Sequence, residues 1–289
     1  MAQAAIHHLN QRATGLSQKL PPLLVKAQRV AATVMLGVHG RRRAGPGENF
    51  WAYRNYGFGD STQRIDWHKS SKSDSVFIRE NEWEAANTLW LWSNLGPRMD
   101  FKSHLATETK KECAQILHLA LASLAIRAHE RIGALGSPRR ATTGQLALRQ
   151  MAEHVAKAND NPLPVPTAMQ RQSAAVLISD FLDEPESIKR AIAPLAESGV
   201  RGHLVQITDP AEETLPYDGR VEFLGLDQPA KFIANKTQNL HARYIQAFAA
   251  QRESVRQFAS RLGWTFTVHH TDENLSKCLQ ALHLRVSDR

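Results

Sequence analysis

The chain has 289 residues, 42% of them apolar and 22% charged, with a formal net charge of +8. That balance excludes an intrinsically disordered chain and supplies apolar surface for one large domain or two smaller ones. Two cysteines exclude a disulfide framework, and no run of about 18 apolar residues offers a membrane-spanning helix.

The charge is uneven, with 21 Lys/Arg against 11 Asp/Glu through Met151 and 15 against 17 beyond it. A basic front half suits an acidic protein surface, nucleic acid or anionic lipid, or is simply a solvated face. In chain order, the first 40 residues carry an apolar pattern at Leu16, Leu20, Leu23, Leu24, Val30 and Val34. Pro21-Pro22 can open a helix but not sit inside one, so two helical pieces are expected to meet there. Arg41-Arg42-Arg43 follows; a bare triple Arg is a weak nucleic-acid footprint.

Glu48 to Trp67 reads ENFWAYRNYGFGDSTQRIDW. Phe50, Trp51, Tyr53 and Tyr56 precede Gly57 and Gly59, whose freedom at positive φ marks a turn. Neither helical nor strand periodicity persists, so an ordered irregular segment is expected. Glu48, Asp60 and Asp66 could be read as a metal-nuclease or general acid–base group. Arg54 and Arg64 lie close in sequence, which favours ion-paired scaffolding of the segment instead.

Val76 and Ile78, extending toward Asn81-Glu82-Trp83, read as an alternating strand, and Thr88 to Trp92 as a buried one. Lys110 to His129 is the clearest helix, with one apolar stripe through Cys113, Ile116, Leu117, Ala120, Leu121 and Leu124. A short strand is expected at Ile132 to Leu135 and a helix around Leu148, Met151, Ala152 and Val155. Asn159 to Pro164 reads as a connector. The second half alternates: strand Ala174 to Ser179, helix Pro185 to Ser198, strands Leu204 to Thr208 and Val221 to Leu224, helix Leu240 to Leu262, strand Trp264 to Val268 and helix Leu275 to Leu284. This alternation predicts an α/β fold, with a mainly parallel, doubly wound sheet and helices on both faces. Trp51, Trp67, Trp83, Trp90 and Trp92 are expected to pack in the core, the last two on one face of one strand. Cys113 and Cys278 sit in amphipathic patterns and read as buried small hydrophobes.

Gly45, Gly47, Glu48, Phe50, Tyr53, Arg54, Tyr56, Gly59, Asp60, Arg64, Ile65, Asp66 and Trp67 together spell a known signature. On these residues, and on Ile178 to Phe181, Gly263-Trp264 and His270 to Asp272, the chain resembles the bacterial family of domain of unknown function 58 over nearly its whole length. That family is similar to von Willebrand factor type A domains, and its members are commonly encoded beside MoxR-type AAA+ ATPases. The resemblance implies a type A-like α/β domain over residues 85–289, with a helical and irregular signature segment over 1–84 packed on it. Many relatives carry membrane spans near the N-terminus; without one, or a secretory signal, this chain is expected to be soluble and cytoplasmic.

Type A domains hold a divalent cation at the carboxyl ends of their strands, on an Asp-x-Ser-x-Ser loop and a later Asp. The resemblance places Asn94, Gly96 and Arg98 on the loop and Asp180 at the later position. A degenerate site follows, because one carboxylate and two hydroxyls are gone and a guanidinium has entered. Arg98 either approaches Asp180 and replaces the ion with a salt bridge, or swings to solvent while Asp180 caps the next helix.

His269-His270 with Asp272, and His7-His8, each fall short of a three-ligand metal set. No phosphate-cradling Gly-x-x-x-x-Gly-Lys, no Gly-x-Ser-x-Gly elbow and no Cys–His pair of triad type appears. The expectation is a non-enzymatic adaptor without metal or cofactor, working with a MoxR-type AAA+ ATPase and an acidic client. Nucleic-acid binding through the basic half and a hydrolase built on Glu48, Asp60 and Asp66 are the alternatives.

Overall fold

A computed structural model describes residues 22–35, 50–57, 62, 65–73, 75–81, 87–157, 161–165, 167, 169, 171, 173–227 and 230–287. Pro22 opens the first helix, α1 (22–35), with Ala27, Ala31 and Val34 buried on one face at helical spacing. The helical piece expected before Pro21, the triple Arg, Glu48, Gly59, Asp60, Arg64, Trp83 and His7-His8 lie outside the described residues.

The signature stretch corrects one expectation. Phe50, Tyr53 and Arg54 belong to a strand, β1 (Phe50–Asn55), paired antiparallel with β2 (Phe77–Asn81). Aromatic residues favour extended backbone, and their presence at both odd and even positions hid the alternation. Between these strands comes a single helical turn, α2 (Trp67–Ser70). The Asp66 side chain caps it by accepting from Lys69 N at 2.9 Å, and Asp66 N donates to Phe77 O at 2.9 Å. Trp67, expected in the core, is 67% exposed, since this four-residue helix buries none of its residues. Tyr56 is also exposed, just past the end of β1.

The main sheet has five parallel strands in the order β4-β3-β5-β6-β9. They are β3 (Thr88–Ser93), β4 (Arg131–Ala134), β5 (Ala174–Ser179), β6 (Arg201–Thr208) and β9 (Thr265–His270). The connecting helices are α3 (Lys110–Arg127), α4 (Gly144–Ala156), α5 (Pro185–Glu197), α6 (Pro210–Thr214) and α7 (Gln238–Arg261), with α8 (Leu275–Ser287) closing the chain. Val221 to Leu224 forms a strand as expected, but outside the main sheet. This β7 (Val221–Leu224) pairs antiparallel with β8 (Lys231–Ala234) in a separate hairpin.

Alternate strand residues feed two cores. Leu89, Leu91, Val176, Ile178, Val205 and Ile207 pack with α1, α3, α4 and α8 on one face. Trp90, Trp92, Ala175, Leu177 and Leu204 pack with α5 and α7 on the other. The fold is therefore a doubly wound α/β sheet covered on both sides. Helix α3 departs from the single apolar stripe: 15 of its 18 residues are buried, Lys110, Gln115 and His118 included. Small residues such as Ala114, Ala120, Ala122 and Ser123 let neighbours pack all round it. Cys113 and Cys278 are free and buried, and burial first, then nearby carboxylates, pushes each thiol up to about 12.

Candidate functional site

Strands β3 and β5 are neighbours whose connections leave in opposite directions, toward β4 and toward β6. The crevice between their carboxyl ends is the topological switch point, where open α/β sheets hold ligands. Asn94, Ser179, Asp180, Thr208 and Asp209 line it, each at most 1% exposed. Asn94 Nδ2 donates to Ser179 Oγ at 3.3 Å, Asn94 Oδ1 accepts from Gly96 N at 3.0 Å, and Asn94 N is tied to Ile178 O across the strands.

Lys110 fills the crevice. It is the first residue of α3 and is 1% exposed, with its ammonium 3.2 Å from Asp180 Oδ2 and 2.6 Å from Glu212 Oε1. The Phe101 ring lies 5.9 Å from the same nitrogen. Burying an ammonium costs several kcal/mol, so two carboxylates in hydrogen-bond range are the minimum that holds it there. Both partners are positioned in turn. Gln206 Nε2 donates to Asp180 O at 2.8 Å, and Glu212 closes a capping box on α6 by accepting from Asp209 N at 3.0 Å. Asp209 accepts from Ala211 N at 2.9 Å and from Ser103 N at 2.8 Å, fixing the loop that leads into α3.

Arg98 does not pair with Asp180, nor does Asp180 cap α5, whose N-cap is Glu184. Arg98 sits in a 3₁₀ turn (Pro97–Asp100) that carries its side chain outward. There its guanidinium donates to both oxygens of Asp183 at 2.7 Å, with Asp227 at 3.6 Å. Burial alone would lower the Arg98 pKa, but the charge of Asp180 and the hydrogen bond and charge of Asp183 carry it above its ordinary value. A second network continues from the sheet: Gln206 Oε1 accepts from Arg252 Nε at 2.7 Å, and Arg252 pairs with Glu213. Glu213 also meets His270 at 3.1 Å. Burial would raise the Glu213 pKa, yet hydrogen bonds from Arg252 and His270 hold it below the usual range.

Of the expected site residues, Asn94, Gly96 and Asp180 gather at the crevice, Arg98 stands on its lip, and the described signature residues belong to the β1–β2 hairpin and its capping turn. Sequence reading missed Lys110, Glu212, Asp209 and Asp183. One signal was present: a lysine at the first position of a helix opposes the macrodipole, which invites an explanation by buried anions.

A divalent cation of the type A kind does not fit these side chains. Mg²⁺ requires oxygen ligands at about 2.0–2.1 Å, whereas the Asp180 carboxylate already holds an ammonium and the loop offers Asn94, a glycine and an arginine. Among the described residues no group of three or more His, Cys, Asp and Glu side chains is arranged to hold a metal. Ser93 Oγ and His118 Nδ1 lie 2.8 Å apart, but both are buried and His118 Nε2 faces Met151 Sδ at 3.1 Å rather than a carboxylate. Substrate has no access to that pair. No helix among the described residues is long and apolar enough to cross a membrane.

The family model described as protein of unknown function DUF58 matches residues 52–254. No curated protein matches the chain. Among solved structures, an aerotolerance-related membrane protein from Bacteroides fragilis is 11% identical, covering 70% of this chain and 98% of that one at a TM-score of 0.37. The conserved hypothetical protein BatB from Bacteroides thetaiotaomicron is 11% identical, covering 70% and 99% at a TM-score of 0.32. An uncharacterized membrane spanning protein from Vibrio fischeri is 11% identical, covering 70% and 98% at a TM-score of 0.20.

Proposed function

We propose that this chain, which belongs to the DUF58 family, is a protein-recognition module whose switch-point crevice carries a built-in cation instead of a dissociable one. The observation behind this reading is Lys110, buried between Asp180 and Glu212 where a ligand-binding sheet of this kind would hold its ion. A covalently attached ammonium cannot exchange with solvent, and it has no oxygen-ligand position to offer a substrate. The crevice then serves to lock the β3, β5 and β6 loops into one surface, and recognition happens on that surface.

The finer reading is a type A-like adaptor that acts in the cytoplasm with a MoxR-type AAA+ ATPase. The ATPase supplies the energy of nucleotide hydrolysis and this chain supplies the contact to a client. Co-expression of the tagged chain with a MoxR-type AAA+ ATPase from the same genome tests the reading. A complex that survives gel filtration with EDTA present and weakens when Arg98 and Asp183 are exchanged for Ala supports it. Absence of a complex under all conditions, or steady metal-stimulated turnover by the isolated chain, overturns it.

A further inference from the structure

The basic excess of the front half has a focus outside the crevice. The loop after β4 and the end of α4 enclose a cleft of about 260 Å³ with Ala134, Ala147 and Met151 in its lining. Arg139 and Arg140 enter it from the loop, His154 and Lys157 from the helix. Among the described residues its one acidic wall residue is Glu153, which reaches Arg139 at 3.6 Å and offsets one of the three Arg/Lys charges, leaving a net positive wall. Among the described residues the side chains of Arg140 and Lys157 make no hydrogen bond or ion pair. Burial first, then the charges of Lys157 and Arg139, lowers the His154 pKa, so a neutral ring stands in a positive field.

The frame that carries these cations is ordered. Ile132 and Thr142 exchange backbone hydrogen bonds at 2.8 and 3.0 Å, and the Arg131 guanidinium donates to Ala141 O at 2.8 Å. The edge of β4 is thus covered at Ile132, and a guest meets side chains there rather than an open strand edge. The backbone that carries Arg139 and Arg140 is thus held in place, while the side chains of Arg140 and Lys157 stay free to adjust to a guest.

We propose that this cleft docks an acidic segment of a partner protein, with Asp or Glu side chains laid against Arg139, Arg140 and Lys157. This rests on the reading of the chain as a recognition module and names the chemistry of what it recognises. The charges come from two elements and spread along an open cleft, so several carboxylates on one extended chain match them better than a single small anion. Among the described residues no Phe, Tyr or Trp lines the cleft, which disfavours the aromatic stacking that single-stranded nucleic acid uses.

Fluorescence anisotropy of a labelled hexaglutamate peptide with the full chain, at low salt, tests this. The double variant Arg140→Glu/Lys157→Glu should bind on the order of tenfold more weakly, and added salt should weaken wild-type binding. The control Arg220→Glu/Arg243→Glu makes the same charge change at exposed positions outside the cleft and should leave binding close to wild type. Circular dichroism melts establish that both variants fold. No wild-type binding, equal losses in both double variants, or tighter binding of oligothymidine than of peptide would overturn the proposal. An ATPase complex that survives any of these outcomes leaves the adaptor reading standing while the acidic-segment claim fails.

Discussion

Lys110 Nζ stands 3.2 Å from Asp180 Oδ2 with each side chain 1% exposed, joining the start of α3 to the end of β5 across 70 residues of sequence. A buried pair of this kind contributes less as net energy than as a constraint, because removing either partner strands the other charge.

Lys110→Met should therefore lower stability by about 3–5 kcal/mol, since it leaves Asp180 and Glu212 facing each other without a cation. Urea unfolding monitored by tryptophan fluorescence measures this as a shift of midpoint at unchanged slope. A loss below about 1 kcal/mol would show that the ammonium is not held by these carboxylates.

The Arg98–Asp183 pair is bidentate but sits nearer solvent, its side chains 23% and 17% exposed. Screening reduces its worth, and a double-mutant cycle with Ala at both positions should return a coupling of about 1 kcal/mol. Arg98→Lys should recover less than half of it, because an ammonium cannot grip both oxygens.

Gly202 lies against Trp264, and a Cβ added there would sit 1.8 Å from the indole ring. The ring is itself pinned by Trp264 Nε1 donating to Val200 O at 3.1 Å. Gly202→Ala should destabilise by at least about 1–3 kcal/mol through overpacking. Adding Trp264→Ala should make the second substitution cost less than it does alone, as a thermal-denaturation cycle would reveal.

Acid should weaken the fold through its buried histidines. Burial pushes His118 down to about 3, while His203 and His269 fall to about 4, burial again being the first cause. Their pKa values are lower folded than unfolded, so the unfolded chain takes up protons first as pH falls below about 6.5. Stability is then fully present above that pH and drops toward pH 4 by about 1.4 kcal/mol per unit for each histidine. Urea midpoints at pH 7, 6 and 5 test the slope, and replacing His203 with Gln should flatten it.

The fold was legible where one local pattern decided the outcome. Ala174–Ser179 is a continuous apolar run between polar residues, and the strand has those bounds. The helix Lys110–Arg127 was legible as a helix, but its burial on all sides was not, because that depends on which neighbours arrive. Strands β1 and β8 and the five-residue α6 escaped, being short and lacking a clean period. The site was half legible. Asn94 and Asp180 came from the family resemblance, at the ends of two legible strands, whereas Lys110 meets partners 70 and 102 residues away. No spacing rule encodes such a contact. Neither alternative for Arg98 described its partner, since the 3₁₀ turn delivers the guanidinium to Asp183 rather than to Asp180 or to open solvent.

Manganese binding followed by electron paramagnetic resonance tests most directly whether the crevice supplies its own cation. The Mn²⁺ signal should stay that of the free ion when wild-type protein is added in excess, at neutral pH. Stoichiometric quenching of that signal, abolished by Asp180→Asn in a folded variant, would mean that Lys110 yields its place to a metal and that the account is wrong.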